Sequence, residues 1–123
     1  MQTVSVTFPN QSYDVLIDRG LLDKTGKLVA QQWSPRRVAL VSDDNVAPLY
    51  QARVAKTLEQ TGFEVHCYDF PAGEASKSLT VLADLARKMA AAAFNRDDGV
   101  IALGGGVTGD LAGLLAATYI RGI

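Results

Sequence analysis

The feature that most constrains this chain is a strand, a glycine turn and a helix written one after another near residue 100. Gly99-Val100-Ile101-Ala102-Leu103 is a short apolar run that reads as a buried strand. Gly104-Gly105-Gly106-Val107-Thr108-Gly109-Asp110 follows as a turn, and Leu111-Ala112-Gly113-Leu114-Leu115-Ala116-Ala117 reads as the start of a helix. Without Cβ atoms the turn backbone can approach a phosphate, and the unpaired N–H groups of a first helical turn attract anions. Gly104, Gly106 and Gly109 also satisfy the spacing G-x-G-x-x-G. Alone, that spacing serves tight turns and close helix–strand packing as readily as a ligand. The flanking strand and helix move the reading towards an anion site.

Strand and helix patterns alternate through the rest of the chain. Thr3-Val4-Ser5-Val6-Thr7 and Tyr13-Asp14-Val15-Leu16-Ile17 bracket Pro9-Asn10-Gln11 and predict a hairpin. Helical character runs over residues 21–32. Arg37-Val38-Ala39-Leu40-Val41-Ser42 is the next strand. Pro48 opens a helix carrying Leu49, Ala52, Val54, Ala55 and Leu58, stopped by Gly62. Phe63-Glu64-Val65-His66-Cys67-Tyr68 is a further strand. Ser78 reads as the N-cap of a helix with Leu79, Leu82, Leu85, Ala86, Met89 and Ala90 on one side. Helices alternating with apolar strands predict a single α/β domain over residues 1–123. Its sheet is Rossmann-like and mostly parallel, with helices on both faces and the hairpin at the N-terminus.

Composition excludes several function classes. A net charge of −1 gives no electrostatic reason to expect nucleic acid or an anionic membrane. The apolar stretch 111–120 is ten residues, against roughly 20 needed to cross a bilayer. Polar Gln2 and Thr3 do not begin a signal region. The lone Cys67 fits a reducing compartment, so the expected location is the cytoplasm.

In parallel sheets, ligands bind outside the carboxyl ends of the strands. That rule selects three polar loops: Ser42-Asp43-Asp44-Asn45, Pro71-Ala72-Gly73-Glu74-Ala75-Ser76-Lys77, and the glycine turn. A dinucleotide needs a carboxylate for ribose hydroxyls and backbone amides for its pyrophosphate, and these loops hold both. Each group has a plainer use. Asp43, Asp44 and Asn45 also suit a turn and a helix cap, Glu74 and Lys77 a solvated ion pair, and Asp110 a helix dipole. His66 and Cys67 adjoin in a strand, point to opposite faces and cannot share a metal. No His/Cys/Asp/Glu grouping has metal-ligand spacing. Trp33 reads as a packing residue, and Arg36, Arg37 and Arg53 as surface charges.

Taken together, the loop 71–77, the stretch from Gly104 to Gly113 and Ala116-Ala117-Thr118-Tyr119-Ile120-Arg121-Gly122 resemble 3-dehydroquinate synthases, as does Asp43-Asp44-Asn45-Val46-Ala47-Pro48-Leu49-Tyr50. The resemblance implies an NAD- and zinc-dependent lyase of the shikimate route to aromatic amino acids. It converts 3-deoxy-D-arabino-heptulosonate 7-phosphate to 3-dehydroquinate with release of phosphate. It also implies that Asp43 and Asn45 hold the adenosine side of NAD, and that Glu74 and Lys77 bind its hydroxyls. Gly105, Gly106, Val107 and Asp110 surround the pyrophosphate and nicotinamide end, and Arg121 contacts the substrate's phosphate. A guanidinium fork suits that last role.

In that family, the metal ligands and most catalytic lysines lie in a later helical domain. The expectation is therefore an N-terminal piece with no catalytic and no metal residue of its own, inactive by itself, from a homodimeric enzyme. Another sugar-phosphate cyclase is an alternative. A glycerol-dehydrogenase-like polyol dehydrogenase is another, although its aspartate is typically followed by Ala-Lys where this chain has Leu111-Ala112-Gly113. A stand-alone nucleotide-binding module is the alternative of a different class.

Overall fold

A computed structural model describes all residues, Met1–Ile123. Strands β1 (Gln2–Thr7) and β2 (Ser12–Ile17) pair antiparallel, with Val4 opposite Val15. A short 3-10 turn leads into helix α1 (Thr25–Ala30). Strand β3 (Arg37–Asp43) is followed by a π-helical turn, Ala47–Gln51, and helix α2 (Ala52–Gln60). Strand β4 (Glu64–Phe70), helix α3 (Leu79–Ala91), strand β5 (Gly99–Ala102) and helix α4 (Gly106–Thr118) complete the order. The second sheet is fully parallel, in the order β4-β3-β5.

The core is organised by β3. Val38, Ala39, Leu40 and Val41 are all 0% exposed, because period-two alternation sends successive side chains to opposite faces and both faces are covered. Val38 and Leu40 pack with Val54, Ala55 and Leu58 of α2 and with Phe63. Ala39 and Val41 pack with Leu85 and Met89 of α3, Leu111, Ala112 and Leu115 of α4, and Phe94. The chain leaves β3 towards β4 and then crosses back to β5. Right-handed crossovers in opposite directions put α2 on one face and α3 and α4 on the other. A Cβ on Gly26 would collide with the carbonyl of Thr57, so this glycine lets α1 and α2 cross in close contact.

Three sequence expectations need correction. α4 begins at Gly106, five residues before Leu111, so Thr108, Gly109 and Asp110 are helical. Thr108, Leu111, Ala112 and Leu115 form its buried stripe at helical spacing. In α3 the Ser78 cap is present, its Oγ accepting from Val81 N–H at 3.2 Å, but Leu79 is 80% exposed. Leu79 precedes Leu85 by six residues, about 120° round the helix, and Ala90 is also off the buried stripe.

The third correction concerns Arg37, which is structural. Its Nε donates to Glu64 Oε2 at 2.8 Å and its Nη1 to the carbonyls of Ala92 and Ala93, capping the end of α3. Trp33, by contrast, packs as expected: a Cβ on Gly99 would come within 2.6 Å of its ring.

Leu40→Ala is expected to cost about 2–5 kcal/mol in urea unfolding, whereas Leu79→Ala should cost under about 0.5 kcal/mol. Hydrogen bonds from His66 and then Arg37 hold the Glu64 carboxyl below its ordinary value of 4.5. Because that folded value is depressed, its contribution to stability is present above the ordinary value and lost as pH falls through the lowered one. Glu64→Gln should therefore flatten the acid limb of a melting-temperature profile below about pH 5.

Candidate functional site

All three polar loops lie at one edge of the parallel sheet. β3 and β4 end level, Asp43 opposite Phe70, and Val41 is level with Ala102 of β5. The strand order reverses between β3 and β5, and sheets of this kind bind ligands outside the carboxyl ends of the strands at such a point.

The glycine turn stands at that reversal, directly after β5. Leu103 N–H donates to Val41 O at 2.8 Å, and the chain then turns at Gly104 with φ +155°. A Cβ at Gly104 would stand 2.6 Å from Thr108 Oγ1, so only glycine fits. Gly105 is the N-cap and has no side chain to cap with. The first helical bond runs from Gly109 N–H to Gly105 O at 3.0 Å, leaving the amides of Gly106, Val107 and Thr108 ahead of it. A Cβ on Gly105 or Gly106 would meet nothing within 4 Å. Packing inside the chain thus gives no reason for glycine at either position. Thr108 is 1% exposed, and its hydroxyl has no partner in the chain. A buried hydroxyl without a partner is costly.

Asp43 caps the turn after β3. Its Oδ1 accepts from Asn45 N–H at 2.9 Å and Val46 N–H at 2.8 Å, while Oδ2 takes no bond from the chain. Cap and ligand roles are therefore compatible in one carboxylate. Asn45 is exposed beside it. Asp44 Oδ1 accepts from Ala72 N–H at 2.9 Å, joining the first loop to the second.

The second loop carries a 3-10 turn, Glu74–Ser76. Ser76 is buried, and its hydroxyl donates to Pro71 O. Lys77 Nζ lies 2.9 Å from Asp110 Oδ2 and 3.4 Å from Glu74 Oε2, so an ammonium links this loop to α4. Its hydrogen bond to Asp110 holds the Lys77 pKa above the ordinary range. Below this ion pair is a cleft of about 290 Å³ lined by Ser78, Leu79, Leu111 and Leu114.

The structure thus gathers Asp43, Asn45, Glu74, Lys77, Gly105, Gly106, Val107 and Asp110 at one sheet edge. Arg121 is not among them. It is exposed after the C-terminus of α4, about 20 Å along the helix from the glycine turn. Sequence reasoning missed Thr108 and the loop-joining role of Asp44. Thr108 had a readable signal, because it completes the stripe with Leu111, Ala112 and Leu115. No three His, Cys, Asp or Glu side chains cluster where they could hold a metal ion.

A family described as 3-dehydroquinate synthase N-terminal matches residues 67–123. The 3-dehydroquinate synthase of Leuconostoc mesenteroides is 50% identical over 123 residues, 100% of this chain and 35% of that protein. That of Streptococcus suis is 48% identical over 120 residues, 98% of this chain and 34% of the relative. The chain therefore spans about a third of the length of the curated relatives it matches. Among solved structures, 2-epi-5-epi-valiolone synthase from Streptomyces hygroscopicus, with NAD+ and Zn2+ bound, has a TM-score of 0.75 and 30% identity. The match covers 95% of this chain and 32% of that one. A 2-deoxy-scyllo-inosose synthase complexed with carbaglucose-6-phosphate, NAD+ and Co2+ shares the fold. Its TM-score is 0.84 at 24% identity, over 99% of this chain and 33% of that one. The chain is homologous to the N-terminal domain of 3-dehydroquinate synthase.

Proposed function

We propose that residues 1–123 form the nucleotide-binding part of a 3-dehydroquinate synthase, with NAD lying across the crevice between β3 and β5. The observation that carries this reading is the α4 N-terminus. Three amides precede its first bond, no side chain caps it, and a partnerless hydroxyl is buried beside Gly104. An anionic pyrophosphate there gains the amides and the helix dipole together. In this reading Gly105, Gly106 and Val107 surround the pyrophosphate. Asp43, through its free Oδ2, and Asn45 take the adenosine-side hydroxyls. Glu74 and Lys77 take hydroxyls from the neighbouring loop, and Asp110 stands at the nicotinamide end.

Bound NAD would supply a hydride acceptor and, within the same turnover, the donor that returns it. The chain's own residues bind and orient the cofactor. Lys77 also neutralises Asp110, which keeps that carboxylate from repelling the pyrophosphate. The residues present do not fit a catalytic metal, and no step is assigned to one. The substrate class is the phosphorylated seven-carbon ketoaldonate, and the proposed setting is a cytoplasmic homodimer. No helix here is long and apolar enough to cross a membrane. Arg121 is proposed as a contact for the substrate's phosphate, apart from the nucleotide crevice. The 50% identity to a 3-dehydroquinate synthase, against 30% to the valiolone synthase, favours the first among sugar-phosphate cyclases.

Calorimetry with millimolar NAD is expected to give weak, saturable binding. Asp43→Ala should weaken it about tenfold, the size of one charge-assisted hydrogen bond. Gly105→Ala should cost no more than about 1 kcal/mol of stability while weakening NAD at least about tenfold, because the added methyl fills ligand space. Arg121→Ala should leave NAD affinity within about twofold. Absence of binding by wild type, or full affinity in both crevice variants, would overturn the reading. In a phosphate-release assay with the heptulosonate phosphate, NAD and zinc, the isolated chain should not exceed the buffer blank. Turnover abolished by Asp110→Ala would contradict the assignment of only the nucleotide site to these residues.

A further inference from the structure

We propose that Asp44 is a positioning residue for the nucleotide crevice, because its carboxylate extends the β3–β4 ladder by one rung and locks the two polar loops together. The proposal rests on the nucleotide reading above. The parallel ladder reaches Asp43 opposite Phe70, and Asp44 N–H then donates to Phe70 O at 2.9 Å. Pro71 has no N–H, so Ala72 is the first amide of the second loop able to donate. On the β3 side the backbone has already turned away, because Asp43 Oδ1 draws in the amides of Asn45 and Val46. Asp44 Oδ1 stands in for the missing carbonyl and accepts from Ala72 N–H at 2.9 Å.

From there the order propagates in series. Ser76 donates to Pro71 O and closes the loop on itself. Lys77 then carries the connection to Asp110 on α4. Asp43, Glu74, Lys77 and Asp110 are thus registered through one exposed carboxylate that need not touch the ligand. Releasing it would let the loop at 71–77 drift from the β3 turn, and binding would then have to order that loop again.

The test compares Asp44→Ala with Asp44→Asn in the full chain, because an asparagine side-chain oxygen can still accept from Ala72 N–H. Asp44→Ala is expected to weaken NAD binding about tenfold, and Asp44→Asn should stay within about twofold of wild type. Without NAD, hydrogen exchange at the Ala72 amide should rise about tenfold in Asp44→Ala and stay near wild type in Asp44→Asn. Core amides at Leu40 and Leu115 should be unchanged in both. Unchanged Ala72 exchange or unchanged NAD affinity in Asp44→Ala would overturn the proposal. An equal loss of affinity in Asp44→Asn would make Asp44 a direct ligand and overturn it too. Wild type that binds no NAD refutes the nucleotide reading itself, whereas the Ala72 measurement judges the loop lock whatever the wild type binds.

Discussion

Two-sided burial of β3 is the constraint on which the rest of the structure depends. Five consecutive side chains of this strand, Val38 to Ser42, have no exposed surface, which is possible only if helices cover both faces of the sheet. Helices on both faces require crossovers that run in opposite directions, β3 to β4 and then β4 back past β3 to β5, and that change of direction sets the switch point between β3 and β5. Packing and site geometry therefore have one origin. A chain that buried β3 on one face only would have neither the second core cluster nor a reversal of strand order.

The two edges of the parallel sheet divide the work. At the amino edge, Arg37 ties β3 to Glu64 and to the carbonyls of Ala92 and Ala93 just after α3, and Trp33 fills the space against Gly99. Those groups are consumed by the fold. At the carboxyl edge the polar groups are only partly used. Asp43 keeps one oxygen, Thr108 keeps its hydroxyl, and the α4 N-terminus keeps its amides. Such unspent capacity, gathered where the strand order reverses, is what a bound anion and its hydroxyls would satisfy. The N-terminal hairpin belongs to neither edge. Val4, Tyr13, Val15 and Ile17 remain exposed on it.

Much of this was readable from residues alone, where a local rule had no competitor. The apolar run of β3, the Pro9-Asn10-Gln11 turn and the Ser78 cap each correspond to one backbone arrangement, and all three are present. The three loops also lie together, as sheet topology requires. What escaped were features decided by tertiary contact. The first turn of α4 has poor helix propensity because of Gly106 and Gly109, yet burial of Thr108 and Leu111 carries it. Arg37 looked like a solvated charge because its partners, Ala92 and Ala93, lie more than fifty residues away. Asp44 was grouped with a turn, since its acceptor role depends on where the loop after β4 passes.

In the proposed reading, the nucleotide lies between β3 and β5 and is held by the α4 N-terminus. The most direct measurement is a map of backbone amide chemical shifts during titration with NAD. The largest changes are expected at Gly105, Gly106 and Val107, with a second group at residues 43–46 and a third at 72–77, all following one saturation curve. Changes confined to α1, α2 or the hairpin, with the glycine-turn amides still, would contradict it.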